Sequence, residues 1–460
     1  MVLVARPRTP SPAILAPTLS GQLGHGPLRR ICADPLGHGV AEVLGACLPD
    51  ASTWTFELLR SKLKPARKLT AYYRITPGPG SGEEAPARRD GGRHVAVTWF
   101  AERQPCSSVP PAAGPGAPPF TQLASASEDG RIVVRVCPDD PAMPQLARLS
   151  DTAHLAALLG DLSGRRVAAR QLTVDTIRYR PGQRHVQRVR LAGNAWVYVK
   201  TDRDDSGARA VATAAFLRDR VAGEVPDATV APPLGYVAED AAAVWWNIPG
   251  APLSRQLSSD PGSALRTVVH TGRLLRVLHD SASGPASLLG RGGGADVRVE
   301  VEETLRAGEH VAALLPGVGR TFEHAASDVA EGLHRVQGEA AAISHGDFKS
   351  DNLVVHGSRL TVLDLDRAAW ADPAKDLGKF LVDLRWWCPG AAPAAALAVA
   401  FRAGYGPCDE ARWARARLFA ALFQLKLTAR RRAVHDARWG AQVRAGVGDA
   451  VDMLRVARGA

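Results

Sequence analysis

The stretch His345-Gly346-Asp347-Phe348-Lys349-Ser350-Asp351-Asn352 sets an Asp and an Asn at the two ends of a short loop. It then runs into the apolar residues Leu353-Val354-Val355. After the turn His356-Gly357-Ser358-Arg359 comes a second apolar run, Leu360-Thr361-Val362-Leu363, which ends on Asp364-Leu365-Asp366. A loop, a hairpin and a second acidic loop thus follow one another closely. Phosphoryl transfer from a nucleotide requires such parts: a carboxylate to orient a hydroxyl and accept its proton, and oxygen ligands for the metal that screens the phosphates. On this reading Asp347 is the base. Asn352 and Asp364 hold Mg2+, with Asp366 as a further candidate ligand, all oxygen donors that suit a hard cation. The plainer reading makes Asp347 a turn cap and the others polar hairpin ends. His345 reads as structural, its ring bonding backbone to hold the loop.

The elements that must position these residues are legible upstream. Residues 174–179, 185–191 and 195–200 read as strands separated by a Pro-Gly turn and an Ala-Gly-Asn turn. A helix is predicted over 208–220, and further strands over 233–237 and 243–248. Together these make a five-strand antiparallel sheet with one inserted helix. Residues 264–279 carry Leu265, Val268, Val269, Leu274, Leu275 and Leu278 at helical spacing, and helices fill most of the chain beyond. Further upstream, a short helix is predicted at 40–48 and strands at 69–75, 94–100 and 131–136. Two low-complexity insertions, 77–92 and 105–119, read as surface loops. Residues 64–75 also align without gaps on 180–191, each a basic-Pro turn entering a strand. This echo is either chance or a degenerate copy of the later sheet within the first ~140 residues.

Composition narrows the partners. The chain has 460 residues, a formal charge of +11 and 46% hydrophobic residues, which suits a globular protein of two or three units with an affinity for anions. Its arginines are spread out and its aromatics sparse at 6%, so nucleic acid is not expected and a phosphate-bearing small molecule is. Cys32, Cys47, Cys106, Cys137, Cys388 and Cys408 lack metal-site spacing and suit a reducing cytoplasm. No signal peptide or membrane helix is expected; the Ala-rich run 391–401 is too short and reads as a buried helix.

Taken in order, His345-Gly346-Asp347 with Asn352, Leu363-Asp364-Leu365-Asp366, and Asp372-Pro373-Ala374-Lys375-Asp376-Leu377 resemble the aminoglycoside phosphotransferase family, a branch of the protein-kinase-like fold. The resemblance covers roughly residues 172–430 and includes the hinge-like Trp245-Trp246-Asn247-Ile248-Pro249-Gly250 and the Leu278-His279 helix end. It implies an α+β, two-lobed fold. Residues 166–249 would form an antiparallel β N-lobe and 250–460 a mainly helical C-lobe, with 1–165 an extra N-terminal α/β region, a degenerate repeat or a cap. It further implies an ATP-dependent enzyme, with GTP as the alternative nucleotide, acting on a small-molecule hydroxyl.

Carried onto this chain, the resemblance makes Lys200 the point charge on the α/β-phosphates. It is the only lysine between Lys68 and Lys349 in a chain that otherwise uses arginine. Trp246 and Ile248 would frame the nucleotide base, and Asp372 and Asp376 would brace the catalytic loop and cap a helix. Four departures stand out. No Glu lies on the predicted helix, so Asp219 is the nearest acidic partner for Lys200, with Glu224 just beyond. No glycine-rich loop is present, and the amides of Pro181-Gly182-Gln183-Arg184, with the Arg184 side chain, would cover the phosphates instead. Asp366 stands where kinases have Gly. Lys349 stands where many relatives have His and protein Ser/Thr kinases have Lys; it either stabilises the transferring phosphoryl or faces solvent. An acidic acceptor cleft for a polycation would have to come from Glu300, Glu302, Glu303 and Glu309. Two alternatives remain: a peptide or protein Ser/Thr kinase, which Lys349 favours, and a non-catalytic nucleotide-binding pseudokinase, which the missing helix Glu favours.

Overall fold

The computed structural model describes residues 12–78, 93–104, 119–191, 193, 195–281, 297–336, 338 and 340–459. Most of the two predicted insertions, and Cys106, therefore lie outside the described residues. The chain forms two compact units. The first comprises residues 1–192, 308–320 and 429–444; the second comprises 193–307, 321–428 and 445–460.

The first unit opens with helices α1 (Pro12–Ser20), α2 (His25–Ala33) and α3 (Val40–Gly45). Strands β1 (Trp54–Lys64), β2 (Lys68–Pro77), β3 (Arg93–Phe100), β4 (Ala124–Ala126) and β5 (Ile132–Val136) follow and form an antiparallel sheet in the order β1-β2-β3-β5-β4. Period-2 alternation gives this sheet two unlike faces. Leu63, Leu69, Ala71, Tyr73, Ile75, Val95, Val97, Trp99, Val134 and Val136 are buried on one face. This face packs against α2 and α3, and the Tyr73 hydroxyl donates to the Cys32 carbonyl at 2.9 Å. The opposite face carries Lys62, Lys64, Lys68, Thr70, Tyr72, Thr98 and Arg135. Helices α4 (Gln145–Leu149) and α5 (Thr152–Ser163) then lead into the hairpin β6 (Thr173–Arg180) and β7 (Arg184–Arg190). Helices α1, α2, α4 and α5 have no counterpart in the sequence reading, and β1 and β4 lie in a region, 54–137, that reads as strands without being singled out.

The internal echo corresponds to one turn used twice. Lys64 pairs with Lys68 and Arg180 with Arg184 across loops of equal length. In both the fourth-residue amide donates to the first carbonyl at 3.0 Å, from Arg67 to Lys64 and from Gln183 to Arg180. Pro occupies the second position, and the third has positive φ, 56° at Ala66 and 66° at Gly182, the pattern of a type II turn.

Two buried histidines make the first unit acid-sensitive. Burial, with His94 nearby, pushes His185 down to about 3, and burial followed by Arg74 lowers His94. Both rings are neutral in the folded protein, whereas an unfolded imidazole titrates near ~6.5. Below that pH the unfolded chain takes up protons the folded one refuses, so stability is complete above ~6.5 and falls as the pH drops. Each histidine should cost about 1.4 kcal/mol per pH unit in this window until its folded pKa is reached. Urea midpoints at pH 7 and 5 should show the fall, and His185→Asn should make it shallower; an equal slope in that variant would contradict the assignment.

The second unit contains β8 (Trp196–Asp202), α6 (Ser206–Glu224), β9 (Ala228–Val230), β10 (Pro233–Val237) and β11 (Ala242–Trp246), with β8, β11 and β10 antiparallel neighbours. Next come β12 (Ala251–Pro252), α7 (Leu253–Ser259), α8 (Leu265–His279), α9 (Val297–Leu314), α10 (Pro316–Arg335) and β13 (Ala342–Ser344). The hairpin β14 (Leu353–His356) and β15 (Arg359–Val362), then β16 (Ala369–Ala371), precede the closing helices. These are α11 (Ala374–Trp387), α12 (Ala391–Tyr405), α13 (Glu410–Arg431) and α14 (Trp439–Gly459). The fold is α+β, antiparallel sheet followed by helices, as the sequence predicts. Among the described residues no helix is long and apolar enough to cross a membrane.

Candidate active site

The loop between β13 and β14 is tied down by buried carboxylates. Asp376, fully buried on α11, accepts from the Ser344 hydroxyl at 2.8 Å, the His345 amide at 2.6 Å and the Gly346 amide at 2.9 Å. Asp383, one helical stretch further on, accepts from the Ser350 amide at 2.8 Å and from its hydroxyl. The His345 ring meets the Leu363 carbonyl at 2.9 Å, linking the loop to the end of β15. Phe348 is buried against His345 and Phe380 and anchors the loop from below.

Gly346 has φ 75°, and a Cβ there would run into the Arg367 carbonyl oxygen. Gly346→Ala should therefore destabilise the loop by about 2 kcal/mol or more, from left-handed strain plus the collision. Turnover should fall with it while global secondary structure persists, which parallel kinetics and circular dichroism would check.

At the loop's centre Asp347 is held by two ammonium groups, Lys349 on Oδ2 at 2.5 Å and Lys379 on Oδ1 at 3.2 Å. Burial alone would push this carboxyl up. Lys379 and Lys349 outweigh it and hold the group well below the usual carboxylate range. Lys379 comes from α11, which presses closely on α13 because Gly378 has no side chain to meet the Ala416 carbonyl. Its ammonium also lies 4.7 Å from the centroid of the Phe423 ring.

Asn352 is buried, and its amide nitrogen donates to the Asp347 carbonyl at 3.1 Å, so its amide oxygen is the end not used in that bond. The Leu363 amide donates to the Asn352 carbonyl at 2.8 Å, so Asn352 and Asp364 stand at the same end of the β14–β15 hairpin. Asp364 adopts left-handed backbone, φ 64°, uncommon for a residue with a side chain and a frequent mark of functional loops. Lys200, on β8, reaches Asp364 Oδ1 at 2.5 Å and also pairs with Asp366.

Several expectations need correcting. Asp219 does not partner Lys200: its side chain is 85% exposed and lies 3.5 Å from Arg218, because α6 turns that position outward. The amides of the Pro181–Arg184 turn are not open to a phosphate. Gly182 donates to Asp140 and Gln183 to the Arg180 carbonyl, while Pro181 has no N–H. Arg184 opens β7 in the first unit; the other predicted site residues all belong to the second. The glutamates do not form an open acidic cleft. Glu300 is buried against Lys375 at 2.7 Å and Lys426, and Glu303 meets Lys426 at 2.8 Å and Arg367 at 3.7 Å. Burial would raise Glu300, but the two lysines hold it at about 2. Glu309 pairs with Arg67, and Glu302 is exposed.

Trp246 ends β11 and Ile248 follows in an irregular segment; both are half-buried. The Asn247 amide donates to the Trp196 carbonyl at 3.0 Å, and β12 pairs with β14, so this segment joins the β8–β11 strands to the β14–β15 hairpin. Asp372 caps α11 through the Ala374 amide at 2.9 Å and receives the Arg415 Nε at 2.6 Å.

Lys379, Lys375, Lys426 and Asp383 were missed from sequence. A signal was present: the chain's 57 lysines and arginines include only eight lysines, and Lys200, Lys349, Lys375, Lys379 and Lys426 each pair with Asp347, Asp364, Asp366, Glu300 or Glu303. The donor set of an Asn amide and two Asp carboxylates suits a hard divalent cation.

This arrangement, a braced loop presenting an ionised Asp beside a lysine-held pair of carboxylates, defines a phosphotransferase. The chain belongs to the phosphotransferase enzyme family, whose model matches residues 120–419. No curated protein matches it. Among solved structures, it is similar to an ethanolamine kinase from Plasmodium vivax, at 12% identity and TM-score 0.48, over 70% of this chain and 96% of that one. A macrolide 2'-phosphotransferase from Brachybacterium faecium matches at 19% identity and TM-score 0.41, over 65% and 97%. A choline/ethanolamine kinase family protein from Mesorhizobium loti matches at 18% and 0.42, over 59% and 90%.

Proposed function

We propose that this protein moves the γ-phosphoryl group of ATP onto a hydroxyl of a neutral or anionic small molecule. The observation that carries this reading is Asp347 held ionised between Lys349 and Lys379 on a loop braced by Asp376 and Asp383. A carboxylate so placed orients the acceptor hydroxyl and takes its proton as the O–P bond forms. Asn352, Asp364 and Asp366 would hold Mg2+, which when bound screens the phosphates. Lys200 supplies a point charge to the nucleotide, and Lys349 meets the charge on the transferring group. Trp246 and Ile248 flank the base.

The pairing of Lys200 with Asp364 and Asp366 supports the catalytic reading over the non-catalytic one. The lysine is positioned without a helix acid.

The acceptor's charge class follows from the same residues. A polycationic antibiotic needs free carboxylates, yet Glu300 and Glu303 are neutralised by Lys375, Lys426 and Arg367, and two further ammonium groups flank Asp347. Like charges brought together in a partly buried site repel strongly. The test is incubation with Mg2+ and ATP, or GTP, against sugars, hydroxy acids, amino alcohols, serine-containing peptides and polycationic aminoglycosides, scored by mass gain. Phosphorylation of neutral or acidic small molecules is expected. Nucleotide binding with no product, or preference for the polycations or peptides, would sink the proposal.

A further inference from the structure

The three lysines outside the catalytic cluster, Lys62, Lys64 and Lys68, are also gathered in one place. They lie on the polar face of the β1–β5 sheet and line a cavity of about 420 Å³. Ladder register explains the grouping. Lys62 stands opposite Thr70, which stands opposite Thr98; Lys64 stands opposite Lys68, which stands opposite Phe100. Arg135 joins the same face on β5. Directly paired like charges such as Lys64 and Lys68 destabilise a sheet, so the arrangement works against folding.

The cavity's cations are poorly matched by acids. Among the described residues no carboxylate pairs with Lys62, Lys64 or Lys68, and Lys68 instead lies over the Phe100 ring, 5.3 Å from its centroid. Arg135 is paired with Asp139 at 2.7 Å. The single acid in the wall, Asp140, accepts from the Tyr179 hydroxyl at 3.0 Å, the Gly182 amide and the Ala142 amide at 3.1 Å. Burial, then Lys64, Arg60, Arg430 and Arg180, lowers the pKa of Lys62, a sign of cations crowded without counter-charge.

We propose that this cavity binds a small molecule bearing a phosphate group, with Lys62, Lys64 and Lys68 on the anion and the Thr70 and Thr98 hydroxyls as the floor. Lysine is suited to phosphate as a point charge, and several ammonium groups favour a ligand carrying two or more negative charges. The volume fits a small organic ligand rather than an extended polymer. Pro181 and Gln183 of the β6–β7 turn form part of the wall, so an occupant contacts that turn as well as the sheet. None of the lining residues belongs to the candidate active site, and the proposal does not depend on the catalytic reading.

Isothermal titration calorimetry in EDTA would test it, with inorganic pyrophosphate, a sugar monophosphate, ATP and a short single-stranded oligonucleotide as separate probes. Wild-type protein and Lys200→Met, which removes the charge proposed to hold the nucleotide at the active site, should bind at least one of the small phosphates equally. Lys62→Gln/Lys64→Gln should weaken that binding about tenfold or more, as loss of two charged contacts implies. Both sites are on the sheet's polar face, and circular dichroism would verify folding; Lys68→Gln, made separately, should give the same direction. Which small phosphate binds tightest separates nucleotide from metabolite. Absence of binding by all small phosphates, equal binding by the lysine variants, or tighter binding of the oligonucleotide would each overturn the proposal.

Discussion

Asp347→Asn should lower kcat by about 100- to 10,000-fold, the range a positioned general base contributes, with little change in nucleotide affinity. The argument is geometric before it is electrostatic. Asp347 sits on a loop whose backbone amides at His345 and Gly346 are fixed by Asp376, so its carboxylate has little freedom. Burial opposes its ionisation, and Lys379 and Lys349 overcome that opposition. Removing one ammonium should let the carboxyl rise, which gives a second readout. In wild-type protein kcat/KM should show no acid limb from Asp347 between about pH 5 and 8, because the group is ionised throughout. In Lys379→Met the limb should move upward toward the ordinary carboxylate range. Lys379 acts here as a positioning residue, and an unchanged pH profile in that variant would remove it from the argument. An Asn variant with wild-type turnover would remove Asp347 from the chemistry.

Local motifs in this chain were readable because they encode short-range geometry. Gly346 is demanded by a positive φ, and the apolar runs on either side of His356-Gly357-Ser358-Arg359 specify a hairpin. That brought Asn352 and Asp364 to one end of the hairpin without knowledge of the rest. The strands at 174–200 and the helix ending at His279 were legible for the same reason, strong period-2 and helical patterns. What escaped was long-range. Asp219 was chosen as the partner of Lys200 by counting along α6, whereas the acids that meet Lys200 lie more than 160 residues away. Glu300 and Glu303 read as walls of an open acidic acceptor cleft, since nothing near them in sequence announces Lys375 and Lys426. Lys379 is placed by helix packing at Gly378, which no local pattern encodes. β1 is not distinct within the strand-like region 54–137 because the register shift between Leu58 and Arg60 breaks its alternation.

Asp376→Ala should be the most damaging single change to the second unit, although Asp376 is not placed against any substrate. Its carboxylate gathers the Ser344 hydroxyl, two loop amides and, at 3.5 Å, the His279 ring, all within the interior. Deleting it leaves buried donors unsatisfied and removes the counter-charge held beside His279. A loss of about 3–5 kcal/mol is expected, with turnover falling alongside as the His345–Gly346 segment loosens. Asp376→Asn should be milder, since one oxygen remains to accept, yet its NH2 must face at least one other donor. The pH dependence separates this carboxylate from the histidines of the first unit. Burial would raise Asp376, but His279, His345 and Ser344 reverse that, so its folded pKa lies below the unfolded one. Its contribution is therefore complete above ~3.9 and disappears only as the pH falls through the lower folded value. Loss of stability beginning near ~6.5 belongs to the histidines that burial lowers in the first unit, His94 and His185 together with His38 and His435, and a second loss below ~4 includes Asp376. Urea melts of Asp376→Asn and His185→Asn across both windows should each make the loss shallower in one of them and leave the other in place; a variant that did so in both would mean that the two groups do not titrate independently.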